Sequence, residues 1–214
     1  MITNLQYISQ GNSPQEHLQH IGEVCEAGVR WVQLRLKNVD AATILNTALK
    51  CREICDQYGA IMIVNDSVSI AQASQADGVH LGLKDMNPKD AREILGDNYI
   101  IGGTANTLQD CIQHSNDGVD YIGLGPFRYT TTKEKLSPIL GLEGYRSIIS
   151  ELRVQEIEIP IVAIGGIVED DIAGIIETGI SGIAVSGMLT DQEQLEEKIQ
   201  HIKVLVANKL EAKG

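Results

Sequence analysis

The chain repeats one phrase four times: "EAGVRWVQLR" at 26–35, "QADGVHLG" at 75–82, "NDGVDYIGLG" at 116–125 and "ETGISGIAVSG" at 177–187. Each copy runs from a polar helix end, through a glycine suited to the left-handed position after a helix, into a β-branched or apolar run. A helix that turns straight into a buried strand is half of a βαβ unit. Its recurrence commits the chain to a parallel sheet with crossover helices.

Amphipathic segments fill the gaps. "SPQEHLQHIGEVCEA" opens with Ser13 as N-cap, Pro14 at the first helical position and Glu16 to complete a capping box. "TDQEQLEEKIQHIKVLV" sets Thr190 and Glu193 in the same relation and lines up Leu195, Ile199, Ile202 and Val206 on one face. Strands are predicted near 4–8, 29–35, 60–65, 78–82, 99–104, 119–124, 160–164 and 182–186. Helices are predicted near 14–27, 40–58, 68–75, 88–95, 107–115, 142–151, 169–178 and 191–208. Strict alternation at this count fits a closed α/β architecture, a single-domain (β/α)8 TIM barrel over residues 1–214. An open doubly wound sheet is the alternative, but no GxGxxG follows the first strand.

Composition narrows the function. A 43% hydrophobic share with 4% aromatic means a core of Ile, Leu, Val and Ala. The net charge of −12 argues against a nucleic-acid or anionic-membrane surface and leaves room for small anionic ligands met by a few clustered cations. No apolar run is long enough to span a membrane, and no secretory leader is visible. Cys25, Cys51, Cys55 and Cys111 lack metal-type spacing, and Cys51 and Cys55 lie one helical turn apart on an apolar face, so buried thiols in a reducing cytoplasm are expected. Oligomeric state stays open, with a homo-oligomer allowed.

In a barrel, ligand chemistry belongs at the C-terminal ends of the strands. In "WVQLRLK", alternation sends Trp31, Gln33, Arg35 and Lys37 to one face and Val32, Leu34 and Leu36 to the other. Two cations facing inward need an anion, either an internal carboxylate or a substrate group. Asn65, Asp66 and Asp85 follow the next two strands. The aspartates suit Mg²⁺ beside a phosphate, or simply cap the following helices. His80, inside the fourth strand, reads as a packed core histidine. "VAIGGI" and "AVSGM" end the last two strands with glycines that allow either a phosphate cradle or tight packing. After the sixth strand, "GLGPFRYTTTKEK" supplies Thr130, Thr131, Thr132 and Lys133, fit for closing over something anionic or for a plain solvated loop.

Taken together, "VQLRLK", "IVNDSVSIA", "ADGVHLGLKD", "IIGGTANT", "DYIGLGP" with "TTTK", and "VAIGGI" with "AVSG" resemble the thiamine phosphate synthase family in motif order. The resemblance implies a transferase of thiamine biosynthesis that joins 4-amino-5-hydroxymethyl-2-methylpyrimidine diphosphate to 4-methyl-5-(2-hydroxyethyl)thiazole phosphate, with loss of pyrophosphate. It implies that Gln33, Arg35, Lys37 and Asn65 hold the pyrimidine diphosphate, with Thr104 and Lys133 reaching its leaving group. It implies Mg²⁺ on Asp66 and Asp85. It further implies that Thr130, Thr131, Thr132, Gly166, Ser186 and Gly187 hold the thiazole phosphate. Arg35, Lys37 and Lys133 would be the catalytic charges, easing C–O cleavage before the thiazole nitrogen attacks. The chain departs from the family pattern at Leu36 (usually Glu), Thr104 (usually Ser) and Tyr129 (usually Pro). A thiazole tautomerase, a phosphosugar or indole-pathway barrel and a silent phosphate-binding barrel share the architecture. The TTTK run with two aspartates, and the lack of an acid–base pair, speak against them.

Overall fold

The computed structural model describes residues 3–129, 138–190 and 193–211. Eight strands form in order: β1 Leu5–Ile8, β2 Trp31–Leu34, β3 Ile61–Asn65, β4 Gly78–Leu81, β5 Ile100–Ala105, β6 Tyr121–Leu124, β7 Ile161–Ile164 and β8 Gly182–Val185. The helices between and after them are α1 Pro14–Glu26, α2 Ala41–Tyr58, α3 Val68–Ala73, α4 Pro88–Leu95, α5 Leu108–Asp117, α6 Gly141–Val154, α7 Ile172–Glu177 and α8 Leu195–Glu211. A single 3₁₀ turn, Glu169–Asp171, precedes α7. Every strand pairs in parallel with its sequence neighbours, and β1 pairs with β8, so the sheet closes as the predicted (β/α)8 barrel.

Alternation along the strands divides the apolar side chains into two bodies. Inside the barrel, Ile8, Trp31, Ile63, Tyr121, Val162 and Ala184 form a plug, with the Trp31 and Tyr121 rings edge to face at 4.9 Å between centroids. Between sheet and helices lies the larger core, which takes Val32, Leu34 and Leu36 from the β2 segment, as the alternation predicts. The Tyr121 ring occupies the space of a side chain at residue 102: a Cβ on Gly102 would lie 2.2 Å from its Cζ. All four cysteines are buried as free thiols. Among the described residues no helix is long and apolar enough to cross a membrane.

Local predictions fail where the chain has a second way to satisfy the same groups. Gly28, Gly118 and Gly179 take positive φ after their helices, but in "QADGVHLG" the left-handed residue is Gln75. Gly78 instead starts β4, where a Cβ would meet the Ile100 carbonyl oxygen at 2.1 Å. Ser13 caps Glu16 N at 3.2 Å, yet the Glu16 carboxylate accepts from Asn12 N at 2.7 Å, so the box is displaced by one residue. Thr190 does not cap α8. Its buried hydroxyl meets the Tyr7 hydroxyl at 2.8 Å and donates to the Ser186 carbonyl at 3.2 Å, and the helix starts at Leu195. The apolar face of α8 packs as expected, with Ile199, Ile202 and Val206 buried and Leu195 partly so.

Candidate active site

The C-terminal mouth of the barrel collects charge from three consecutive strands. Arg35 and Lys37 follow β2, Asp66 follows β3 and Asp85 follows β4. Lys37 is ion-paired with Asp66. Burial lowers the Arg35 pKa from its ordinary value, while neighbouring Asp66 works to raise it. The Asp85 carboxyl is held above the usual carboxylate range, first by burial and then by the charge and hydrogen bonding of Asp66. The two carboxylates therefore meet at one point, with two cations beside them.

Neither aspartate caps a helix. Ser67 caps α3 through Ile70 N at 3.3 Å, and Asn87 caps α4 through Lys89 N at 2.8 Å. Asp66 sits one residue before its cap in the left-handed region (φ 66°), and its N–H donates to the His80 carbonyl at 2.8 Å. Asp85 turns back to accept from Gly82 N at 2.7 Å. With helix capping done by their neighbours, both carboxylates retain free lone pairs for other ligands.

Below the charges lies a buried polar column. Gln33 is 2% exposed, and its amide nitrogen has no hydrogen-bond partner among the described residues. His80 bridges two strands: Nε2 lies 2.9 Å from the Thr104 hydroxyl and Nδ1 lies 3.0 Å from the Tyr121 hydroxyl. It is buried, as the sequence suggests, and also fixes Thr104 at the rim. Asn65 ends β3 opposite His80 in register.

On the far side of the mouth, Gly165 and Gly166 follow β7 with φ of 98° and 69°. A Cβ on Gly166 would lie 3.0 Å from the Tyr129 carbonyl oxygen and 3.1 Å from Arg128 Cβ. After β8, Ser186 donates to the Gln10 side-chain oxygen at 2.9 Å, and Gly187 faces the same amide. Thr130, Thr131, Thr132 and Lys133 lie outside the described residues.

Ser9 and Gln10, just past β1, are site neighbours that the sequence reading passed over. Ser9 Oγ accepts from Arg35 N at 3.0 Å and meets His17 Nδ1 at 2.8 Å. Burial is the main cause that lowers the His17 pKa from its ordinary value, so the folded protein favours the neutral ring. The unfolded chain takes up that proton below about pH 6.5, which the folded state resists. Stability therefore falls as pH drops from about 6.5 through the lowered folded value. Denaturant titrations across this window are expected to show a loss that His17→Gln abolishes.

A closed parallel barrel with polar residues gathered at its C-terminal mouth has the architecture of a (β/α)8 enzyme, and the glycine loops after β7 and β8 lie where such barrels often bind phosphate. Its sequence specifies more. Residues 5–189 match the family model described as thiamine monophosphate synthase, and the chain belongs to that family. It is 48% identical over 202 residues to the thiamine-phosphate synthase of Flavobacterium johnsoniae, covering 94% of this chain and 95% of that one. It is 45% identical over 192 residues to that of Bacteroides thetaiotaomicron, covering 90% and 92%. The solved thiamine phosphate pyrophosphorylase from Pyrococcus furiosus superposes with a TM-score of 0.83 at 31% identity, over 97% of this chain and 96% of that one.

Proposed function

We propose that the protein condenses 4-amino-5-hydroxymethyl-2-methylpyrimidine diphosphate with 4-methyl-5-(2-hydroxyethyl)thiazole phosphate to give thiamine monophosphate and pyrophosphate. The observation that carries this reading is the convergence of Arg35, Lys37, Asp66 and Asp85 at one rim in a chain of the synthase family. Within this group of four, two cations are offset by two carboxylates, so these residues alone present a diphosphate with no net positive charge.

A divalent cation resolves that imbalance. Asp66 and Asp85 would hold it: they are hard oxygen donors, and burial, followed by the neighbouring Asp66 carboxylate, raises the Asp85 pKa although Lys37 works to lower it. Among the described residues no third His, Cys, Asp or Glu completes a protein cage, and Mg²⁺ is a cation that characteristically takes one or two carboxylates and fills its shell with water and phosphate oxygens. When bound, it supplies charge neutralisation to the departing pyrophosphate.

The chain's own residues do the rest. Arg35 and Lys37 present a guanidinium fork and an ammonium to the diphosphate, and Lys133 adds a third cation from the loop after β6. Gln33, buried beneath the rim, and Thr104, held by His80, orient the pyrimidine. Gly166, Ser186 and Gly187, with Thr130, Thr131 and Thr132, receive the thiazole phosphate. Heterolysis of the C–O bond, followed by attack of the thiazole nitrogen, needs positioned charge and a positioned acceptor more than a proton shuttle. The four buried thiols suit a reducing compartment such as the cytoplasm.

Incubating the protein with both precursors and Mg²⁺ is expected to release pyrophosphate and thiamine monophosphate in equal amounts. Omitting the thiazole phosphate should leave no thiamine monophosphate. Binding of both precursors without release would favour a silent phosphate-binding barrel.

A further inference from the structure

We propose that Arg128 and Asp171 are positioning residues that fix the glycine cradle after β7 and so set affinity for the thiazole phosphate. This rests on reading Gly166, Ser186 and Gly187 as the cradle for that phosphate. Arg128 lies past β6, and Asp171 ends the 3₁₀ turn before α7, so the pair joins two loops that the sequence separates by 43 residues.

The geometry is that of a clamp. Arg128 Nη1 and Nη2 donate to the two Asp171 oxygens at 2.8 Å each, and Nη1 also donates to the Gly166 carbonyl at 2.9 Å. Asp171 in turn accepts from Val168 N at 2.9 Å, which ties down the far end of the same loop. Two backbone bonds run alongside, Phe127 N to the Ile164 carbonyl and Arg128 N to the Gly165 carbonyl, both at 2.9 Å. Leu140 N and Gly141 N donate back to the Pro126 and Phe127 carbonyls at 3.0 Å, so the base of the β6–α6 connection is closed as well.

Stability alone does not account for this arrangement. The Arg128 side chain is 48% exposed, and exposed ion pairs contribute little to folding. A bidentate fork contributes orientation, which a lone charge does not. Here it holds two left-handed glycines against a neighbouring loop with no room for a side chain on Gly166. The guanidinium also occupies the Gly166 carbonyl oxygen, an acceptor that would otherwise repel a phosphate nearby.

The test uses Arg128→Ala, Arg128→Lys, Asp171→Asn and Gly187→Asp in the full chain, with Kd for each precursor measured by calorimetry alongside kcat and KM. Arg128→Ala is expected to weaken thiazole phosphate about tenfold to a hundredfold, with the pyrimidine diphosphate within about twofold. Arg128→Lys should recover part of that loss. Unchanged thiazole phosphate affinity in Arg128→Ala, or equal weakening of both precursors, overturns the clamp. Should Asp171→Asn fail to fold because its loop contact is lost, Arg128→Ala decides alone. Gly187→Asp tests the cradle separately by adding a carboxylate at an exposed position where a Cβ has ordinary space, 3.7 Å from the Gln10 amide. If it leaves thiazole phosphate binding intact, the cradle reading fails. If it blocks binding while Arg128→Ala does not weaken it, the cradle stands and the clamp is wrong.

Discussion

Arg35→Ala is expected to lower kcat/KM for the pyrimidine diphosphate by about a hundredfold to a thousandfold while the melting temperature holds or rises. In the ligand-free protein burial lowers the Arg35 pKa while nearby Asp66 works to raise it, so holding this charge at the rim carries a desolvation cost. Truncation removes that cost, and the Arg35 N–H bond to Ser9 is unaffected because it belongs to the backbone. In the proposed reaction the same cation would face a leaving group whose negative charge grows, where a preorganised donor in a partly dry site has its largest effect. Arg35→Lys should restore little, since an ammonium cannot reproduce the planar fork. Pyrophosphate release and thermal melting measured on the same preparation check both halves. A fall in stability matching the fall in activity would show instead that Arg35 belongs to a structural ion pair.

The second large effect concerns the carboxylates. Asp66→Asn and Asp85→Asn should each raise the half-saturating Mg²⁺ concentration by about tenfold or more, and the double variant should lose the Mg²⁺ response. Neither change should harm the ligand-free fold. Lys37 and Asp66 are 45% and 35% exposed, so their ion pair contributes little. Asp66→Asn also removes the neighbouring charge that, after burial, raises the Asp85 pKa. A readout independent of turnover is the Mg²⁺-dependent rise in melting temperature in the presence of pyrophosphate. If both single variants keep the wild-type Mg²⁺ dependence in both measurements, the carboxylates do not hold the metal.

Much of this architecture is legible in the sequence because its physics is periodic. The β2 segment reads correctly residue by residue, since inward Trp31 and Gln33 must alternate with outward Val32, Leu34 and Leu36. The strand-end rule brings Arg35, Lys37, Asp66 and Asp85 to one rim. It would have found Ser9 and Gln10 had the same rule been applied to the first strand. Arg128 and Asp171 carry no comparable signal: their contact joins two loops 43 residues apart, and no periodic pattern marks either position. Local capping misled at Thr190, which finds a tertiary partner in Tyr7 and leaves the start of α8 to other residues. Gly125 also invites a wrong inference. It looks free to admit a ligand, yet a Cβ there would strike the Ile164 carbonyl oxygen at 2.2 Å, so its smallness serves strand packing.

The backbone at Asp66 narrows what evolution can place there. A left-handed φ of 66° favours glycine, asparagine and aspartate and weighs against β-branched side chains. Glycine and asparagine carry no negative charge; glutamate does, and Glu156 takes a φ of 57° in this chain, but at residue 66 it would carry the carboxylate one methylene further from the backbone. If the proposed metal site requires an anion at residue 66, main-chain shape and charge together favour aspartate there.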